Sequence, residues 1–411
     1  TKLRELKHKM AKGVYKNSTE VAQLDGASIY MNDIVDACLK SRLNLFLQGD
    51  TGTGKTQLAR DAMNYFGDKS MFILGRNDMD TRELFQQINL EKLRTANSSA
   101  ELKELTDKVN YHLIVVDELP NCVPAVRAQL FNLFDGFVEI NGKAYPIGKG
   151  YSVGIATGNI GQKFTESSNE LGRALKDRMH VIIDVDYFSP KANDTLEILA
   201  GNTNPRVEFS ENSKDLSDKI IKEHHSLISK EIPFEKLILA NYLVHGLDYC
   251  NKGSKRKMKD AWPTQLDNHE QGSDVGLVLP VSTRAAKSIL RLSQALDENV
   301  REKGVSQEQI EKNYFNSVMQ AYKLCSAYSG ILNEADVQNK FDNDRYKALD
   351  SVISSTKTQY DSQLSNICAG LEMAESGKRN EKVFNLFKGR WQFMKDIFEG
   401  IIKSKEQESK K

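Results

Sequence analysis

The clearest chemical pattern in the sequence is a glycine-rich loop that ends in Lys-Thr, at residues 49–56. The loop reads GDTGTGKT and fits the pattern G-x-x-x-x-G-K-[ST], and the helical run QLARDAMNYF follows it at once. In such a loop, backbone N–H groups turn towards a phosphate and the helix N-terminus adds partial positive charge. Lys55 can reach the β- and γ-phosphate oxygens, and Thr56 can ligate Mg²⁺. The predicted ATP-binding residues are Gly49, Asp50, Thr51, Gly52, Thr53, Gly54, Lys55 and Thr56.

Two later segments supply side chains that hydrolysis of such a nucleotide requires. The aliphatic run LIVV ends in Asp117 and Glu118. Asp117 could hold Mg²⁺ together with Thr56, while Glu118 orients and deprotonates a water molecule. The run VGIATG is followed directly by Asn159, whose amide could hydrogen-bond both the γ-phosphate and that water. Alone, each pattern would more often mark a strand end or a turn. Their position downstream of the loop favours the functional interpretation.

The elements that must position these residues are typical of an α/β fold. Helical or loop segments long enough for crossovers separate five apolar runs, at Asn44 to Gln48, Ser70 to Leu74, Leu113 to Val116, Val153 to Ala156 and Val181 to Val185. Strands that alternate with helices predict a parallel sheet with helices on both faces. The glycine-rich loop after the first strand makes this the predicted fold of a P-loop NTPase. The segment VEINGKAY places Asn141-Gly142 between two alternating runs, which predicts a β-hairpin at about 137–153.

Strand signals nearly vanish after Tyr187, and helical patterns replace them. We therefore predict four segments along the chain. They are an N-terminal entry segment with a short charged helix (1–24), an α/β nucleotide-binding domain (25–188), an all-α lid (189–297) with an exposed insertion at about 251–275, and a helical C-terminal extension (298–411). Three long helical patterns are expected after Val305, and one of them runs through both Phe341 and Tyr346.

Composition excludes several function classes. The 57 Lys and Arg residues balance 56 Asp and Glu residues, so no overall field draws the chain to nucleic acid or to an anionic membrane. No run approaches the roughly 20 apolar residues of a membrane helix, and no secretory signal is visible, so we expect a cytoplasmic protein. The five cysteines are scattered, which predicts reduced thiols, mostly in the core, rather than a disulfide framework.

The order of these motifs resembles that of an AAA+ ATPase. Within that superfamily it most resembles the MoxR group, which includes the CbbQ, NorQ and CobS-like proteins. Beside the P-loop, the resemblance rests on the segments RNDMDTRELF, VDELPNCVPAVRAQLFNLFDG, FVEINGKAYPIGKG, ATGNIG, NELGRALKDRMHVIIDVDYF and VSTRAAKSILRLSQAL. It spans about residues 25–200 and 277–296, and it reaches neither the insertion nor the last hundred residues.

The resemblance implies a homo-oligomeric ring, usually a hexamer, that binds ATP and Mg²⁺ between subunits. Such a ring would remodel, activate or assemble a protein client, often with a partner that contains a von Willebrand A domain. The resemblance also implies an arginine supplied in trans, for which Arg178 is the first candidate and Arg173 the second. Arg284 matches the sensor arginine of the lid.

Two other function classes stay open on the sequence. A nucleic-acid-stimulated motor of the McrB type shares the same core, and the basic run KRKMK at 255–259, near Trp262, could contact a phosphate backbone. A nucleotide-gated scaffold would bind ATP and hardly hydrolyse it. The balanced total charge favours a solvated loop for the basic run, and a protein client over nucleic acid. The scattered histidines predict no transition-metal site.

Overall fold

The computed structural model of the chain describes residues 15–87, 92, 95–140, 142–159, 178–201, 205–208, 215–247 and 276–408. The chain divides into two compact units, residues 1–231 with 294–310, and residues 232–293 with 311–411. This grouping does not decide where the four predicted segments begin and end, so those bounds stay predictions. The predicted N-terminal helix and the insertion at 251–275 lie outside the described residues.

The secondary structure elements are numbered here in chain order over the described residues. The strands are β1 (Ala22–Leu24), β2 (Ala27–Ile29), β3 (Leu45–Gln48), β4 (Ser70–Leu74), β5 (Leu113–Asp117), β6 (Phe137–Ile140), β7 (Lys143–Pro146), β8 (Val153–Gly158) and β9 (Val181–Asp184). The α-helices are α1 (Met31–Ser41), α2 (Lys55–Met63), α3 (Thr81–Gln87), α4 (Ser99–Lys108), α5 (Pro124–Phe134), α6 (Ala192–Gly201), α7 (Ser217–Ser229), α8 (Phe234–Asn241), α9 (Thr283–Glu302), α10 (Gln307–Lys312), α11 (Tyr314–Ser326), α12 (Glu334–Phe341), α13 (Arg345–Glu375), α14 (Glu381–Phe384) and α15 (Met394–Glu408).

The first unit contains a five-stranded parallel sheet in the order β4-β5-β8-β3-β9. Every residue of the three inner strands β5, β8 and β3 is buried, as expected for strands covered on both faces. In the register, Gln48 lies opposite both Gly158 and Asp184, and Leu74 lies opposite Asp117. The five strands therefore end at one common edge. The predicted parallel α/β fold is confirmed, with strand bounds that differ by two residues or fewer.

Two hairpins accompany the sheet, and the sequence analysis identified one of them. β6 and β7 pair as a separate antiparallel ribbon, which confirms the hairpin predicted around Asn141-Gly142, although residue 141 itself is not described. β1 and β2 form a second ribbon, where only a charged helix and an entry loop were predicted. Asp25 and Gly26, with φ of 54° and 82°, make its two-residue turn. An Asp-Gly pair favours such a turn because both positions take positive φ.

The C-terminal region contains shorter helices than predicted. Between residues 305 and 408, all of which the structure describes, six α-helices replace the three expected long patterns. The predicted helix through Phe341 is interrupted because Asp342 and Asn343 adopt left-handed φ of 53° and 64°. Asp344 then accepts a hydrogen bond from the backbone N–H of Lys347 and starts α13 as its N-cap. The polar residues Asp342, Asn343 and Asp344 thus end one helix and start the next, although the spacing of apolar residues alone suggests one continuous helix.

Within the described residues, no helix is long and apolar enough to cross a membrane. Four of the five cysteines are described, and all four carry free thiols. Cys38 and Cys122 are buried, whereas Cys368 is exposed.

Asn44, which is almost fully buried, joins three parts of the first unit immediately before β3. Its Nδ2 donates to the backbone oxygen of Arg178 at 3.0 Å, and its Oδ1 accepts from the backbone N–H of Gly154 at 2.8 Å. Its backbone N–H donates to Nδ1 of His180 at 2.9 Å. The start of the P-loop strand is thereby fixed to the starts of β8 and β9.

We expect the substitution Asn44→Ala to destabilise the first unit by about 2 kcal/mol, because a buried N–H and a carbonyl group lose their partners. Urea unfolding measured by circular dichroism tests this expectation. Asn385→Ala, at an exposed position in the second unit, is the matched control and should change little. An unfolding free energy of the Asn44 variant equal to that of the wild type would contradict the structural role of this side chain.

Candidate active site

The predicted site residues meet at the edge where the parallel strands end. The P-loop follows β3, Asp117 is the last residue of β5, and Asn159 follows β8. Because β8 lies between β3 and β5, these three segments are direct neighbours. Ligands of open α/β sheets bind at this position, beyond the carboxyl ends of the strands.

The P-loop takes a conformation that its glycines permit. Gly49, Gly52 and Gly54 have φ of 154°, 85° and 84°, values that residues with a side chain rarely adopt. A Cβ atom at Gly49 would lie 2.8 Å from Oδ1 of Asp186, so that position also lacks room for a side chain. The nearly buried Lys55 turns back into the loop, where its Nζ donates to the backbone oxygens of Gly49 at 2.7 Å and Asp50 at 2.6 Å. The cation therefore lies within the loop.

Thr56 and Asp117 form the predicted metal-binding corner. The Thr56 hydroxyl donates to Oδ1 of Asp117 at 2.9 Å, and the Thr157 hydroxyl donates to the same oxygen at 2.5 Å. A hydroxyl and a carboxylate are hard oxygen donors, which suit Mg²⁺. Mg²⁺ usually takes its remaining ligands from water and substrate phosphates. It therefore fits this pair, even though the described residues contain no cluster of three or more His, Cys, Asp or Glu that could hold a metal.

Glu118 has a constrained backbone. Its φ and ψ are 55° and 44°, a left-handed conformation that costs about 1–2 kcal/mol in a residue with a side chain. Gly75 packs so closely that a Cβ there would lie 2.3 Å from the Glu118 backbone oxygen, and the Glu118 N–H donates to the Thr157 hydroxyl at 3.2 Å. Strained residues are common at functional sites, where neighbours enforce the conformation. This backbone fixes the starting point of the Glu118 side chain beside Asp117.

Asn159 reaches the P-loop, where its Nδ2 donates to Oδ1 of Asp50 at 3.1 Å. Asp186, which the sequence analysis did not single out, contacts the same P-loop residue, because its Oδ2 accepts from the backbone N–H of Asp50 at 2.7 Å. A usable signal was present, since Asp186 lies two residues beyond β9 and so at the same edge as the other site residues.

Arg60 is a second residue that the sequence analysis missed. Its guanidinium carbon lies 3.6 Å from the centre of the Phe72 ring. Burial lowers the pKa of Arg60, whereas the negative charge of Asp117 opposes that shift. Thr56 and Arg60 are four residues apart on α2 and therefore share one face of the helix. That spacing could have indicated a cation near Asp117.

The ring of Tyr15 packs against the P-loop at Gly54. The ring lies so close to Gly54 that a Cβ there would be 3.1 Å from Cε2 of Tyr15. The Tyr15 backbone N–H donates to Oδ2 of Asp61 at 2.8 Å, and Gln57 donates to the other oxygen of this carboxylate. Burial raises the pKa of Asp61, and these hydrogen bonds lower it. The chain segment before β1 is thus fixed to the P-loop helix α2.

Of the three predicted arginines, only Arg178 is described within the first unit, and it does not join this cluster. Arg178 precedes β9 and lies at the opposite edge of the sheet, where its Nε contacts Oδ2 of Asp135 at 3.0 Å. Arg173 lies outside the described residues. Arg284 is an exposed residue in the first turn of α9, in the second unit. The roles of all three remain predictions.

Comparison with known proteins identifies the domain that carries this site. Residues 44–179 match the family model of the AAA domain (dynein-related subfamily). The matched region begins just before the P-loop strand, contains Lys55, Asp117 and Asn159, and ends just after Arg178. Residues 44–179 are therefore similar to an AAA domain, and the P-loop, Asp117 and Asn159 all lie within the matched region.

Two solved structures are weakly similar to this chain. A "putative ATPase" from Cytophaga hutchinsonii is 15% identical, with 78% of this chain and 88% of that chain covered and a TM-score of 0.48. A full-length MCM homolog from Methanopyrus kandleri is 12% identical, with 73% of this chain and 55% of that chain covered and a TM-score of 0.38. The search of curated proteins found no match. At these similarities neither structure adds to the family assignment.

We expect Lys55→Ala to weaken ATP binding by about 100-fold or more, because two charge-assisted contacts to phosphate oxygens would be lost. Isothermal titration calorimetry with Mg²⁺-ATP measures the affinity. Lys378→Ala, at an exposed position of the second unit, is the matched control and should bind as the wild type does. Undiminished binding by the Lys55 variant would overturn the assignment of the P-loop.

Proposed function

We propose that the chain is an ATP-hydrolysing AAA+ machine of the MoxR group, which works as a ring, usually a hexamer, and remodels, activates or assembles a protein client. The observation that carries the proposal is the contact between Thr56 and Asp117, with Glu118 next to it and Asn159 on the P-loop. This arrangement supplies groups for phosphate binding, metal binding and activation of water at one edge of the sheet.

Each residue in this cluster has a distinct proposed task in its own subunit. Lys55 and the backbone of the P-loop bind the phosphates. Thr56 and Asp117 hold Mg²⁺, which offsets negative charge on the phosphate oxygens when bound. Glu118 accepts a proton from the attacking water, and Asn159 orients that water against the γ-phosphate. Contact with the γ-phosphate would require Asn159 to exchange its hydrogen bond to Asp50.

The position of Arg178 supports a ring. β3 and β9 are parallel, with Leu45 opposite Val181 and Gln48 opposite Asp184. The P-loop follows the carboxyl end of this pair, whereas Arg178 precedes its amino end. Three residue steps at about 3.3 Å each separate the two ends by about 10 Å, before the loops at either end are counted. This separation keeps Arg178 away from the P-loop of its own subunit, which supports a role at the site of a neighbour. Head-to-tail contacts of this kind form a ring when the rotation between subunits closes.

The β6–β7 hairpin is a suitable surface for a client or a partner. It forms a separate ribbon outside the main sheet, and Glu139, Lys143, Ala144 and Pro146 are exposed on it. In the MoxR group the corresponding hairpin faces the ring pore or one ring surface. Two further parts of the proposal are a partner with a von Willebrand A domain, which rests on the resemblance, and a cytoplasmic location, which rests on the sequence analysis.

Glu118→Gln should bind ATP with nearly unchanged affinity but hydrolyse it about 10²–10⁴-fold more slowly, because the variant keeps the metal corner and loses the general base. Phosphate release measures turnover, and calorimetry measures binding. Glu372→Gln, an exposed substitution in the second unit, is the matched control. Turnover at the wild-type rate in the Glu118 variant would exclude this residue as the base.

The same Glu118→Gln variant tests the class of client. Incubated with ATP, it should retain a protein that is released when ATP is removed. If DNA or RNA is retained and stimulates the wild-type ATPase in a salt-sensitive manner, the motor interpretation replaces the proposed function. A wild-type chain that binds ATP without turnover would instead favour the scaffold.

Supply of Arg178 in trans predicts complementation between inactive variants. Arg178→Ala should lose about 10³–10⁵ in rate, because no guanidinium then stabilises charge on the transferring phosphoryl group. When it is mixed with Lys55→Ala, phosphate release should partly recover, since the Lys55 variant donates an intact arginine to the intact P-loop of its neighbour. A mixture of Lys55→Ala and Glu118→Gln is the control, because no subunit in it has a competent site. Absence of recovery in rings shown to be mixed would contradict the trans role.

A further inference from the structure

Asp135 lies in the segment VDELPNCVPAVRAQLFNLFDG and has no task in the P-loop site. It directly follows α5, and its Oδ2 lies 3.0 Å from Nε of Arg178. About a third of each side chain is exposed. The two residues are 43 positions apart in the chain, so this pairing results from the tertiary fold.

The location of Asp135 is unusual for an acidic residue. The Asp135 N–H donates to the Phe131 oxygen at 3.0 Å and the Gly136 N–H donates to the Leu133 oxygen at 2.9 Å, which closes the last turn of α5. The C-terminal end of a helix carries partial negative charge, so a carboxylate there is disfavoured and a cation is favoured. The Arg178 guanidinium supplies that cation. A residue that breaks a local preference with a specific partner is a candidate for a functional role.

Arg178 is held at two points. Its backbone oxygen accepts from Nδ2 of the buried Asn44, which fixes the main chain at the start of β9. Asp135 contacts the side chain at Nε. Guanidinium has five N–H donors in a planar fork, so a contact at Nε uses at most one of them, and the two outer nitrogens carry the other four. Phosphate oxygens are partners of that geometry.

We propose that Asp135 is a positioning residue that orients Arg178, so that the outer nitrogens of the guanidinium are presented to the phosphate held by the neighbouring subunit. The inference rests on the proposed function, because it requires Arg178 to act in trans. A partly exposed ion pair contributes little to folding stability. Loss of Asp135 should therefore appear in the rate of hydrolysis and leave the fold intact.

The first test measures kcat and KM for Mg²⁺-ATP in the ring formed by Asp135→Asn. We expect kcat to fall about 10- to 100-fold, since small errors in the placement of a reacting group cost rates of this size. KM should stay near the wild-type value because each subunit keeps its own P-loop. Asp135→Glu, which keeps the charge, should recover part of the rate. Asp350→Asn, which removes an ion pair to Lys323 in the second unit, is the matched control and should change neither constant.

The second test identifies the subunit in which the defect lies. Mixed rings of Asp135→Asn and Lys55→Ala should recover hydrolysis, because the Lys55 variant offers a correctly held Arg178 to the intact P-loop of the Asp135 variant. If Asp135 instead supported its own P-loop, mixing would restore nothing. Absence of recovery in rings shown to be mixed would overturn the proposal, as would an increase in kcat, which would indicate a restraining contact.

Wild type and Arg178→Ala are measured beside these variants, so that a failure of the proposed function can be distinguished from a failure of the inference about Asp135. If the wild type does not hydrolyse ATP, the proposed function fails and this inference fails with it. If the wild type hydrolyses ATP and Arg178→Ala does so at the same rate, the trans role of Arg178 fails, and this inference fails with that role. If Arg178→Ala is slow while Asp135→Asn is as fast as the wild type, the inference alone is wrong.

Discussion

The hydrogen bonds that converge on one carboxylate oxygen of Asp117 organise the whole site. Thr56 follows β3, Thr157 lies on β8 and Asp117 ends β5, and both hydroxyls donate to the same oxygen. Three adjacent parallel strands are therefore joined at their carboxyl ends. Because side chains alternate along a strand, a slip of one residue between β5 and β8 would turn Asp117 or Thr157 away from the other. Register in the sheet is thus a condition for the chemistry.

The balance of charge at the same edge of the sheet is a second condition for the proposed chemistry. The carboxylates of Asp50, Asp117 and Asp186 all lie near the P-loop, while the cation of Lys55 is enclosed within it. A bound nucleoside triphosphate would bring further negative charge to this edge. The site therefore depends on added positive charge, which a divalent cation at Asp117 and an arginine from a neighbour would provide.

Much of the fold and of the site could be predicted because the signals were local. The run LIVVDE shows both a buried strand and the carboxylates at its end, and the P-loop pattern fixes the identity and order of its ligands. The turn signal of Asp25-Gly26 was equally local, but the sequence analysis did not use it to predict the β1–β2 hairpin. Contacts such as Arg178 with Asp135, or Asp50 with Asp186, depend on which strands are neighbours and in what register. Single-sequence patterns do not carry that information. The helix break at Asp342-Asn343 was missed because apolar spacing was weighed without the backbone preference of these two residues.

The side chain of Asn44 joins the amino end of the P-loop strand to the backbone of Arg178, so the strand that leads into a subunit's own P-loop is hydrogen-bonded to the arginine proposed for its neighbour. A subunit that tilts within a ring would carry both together. Closure of one interface would then also displace the arginine that serves the next site, because the P-loop strand and this arginine move together.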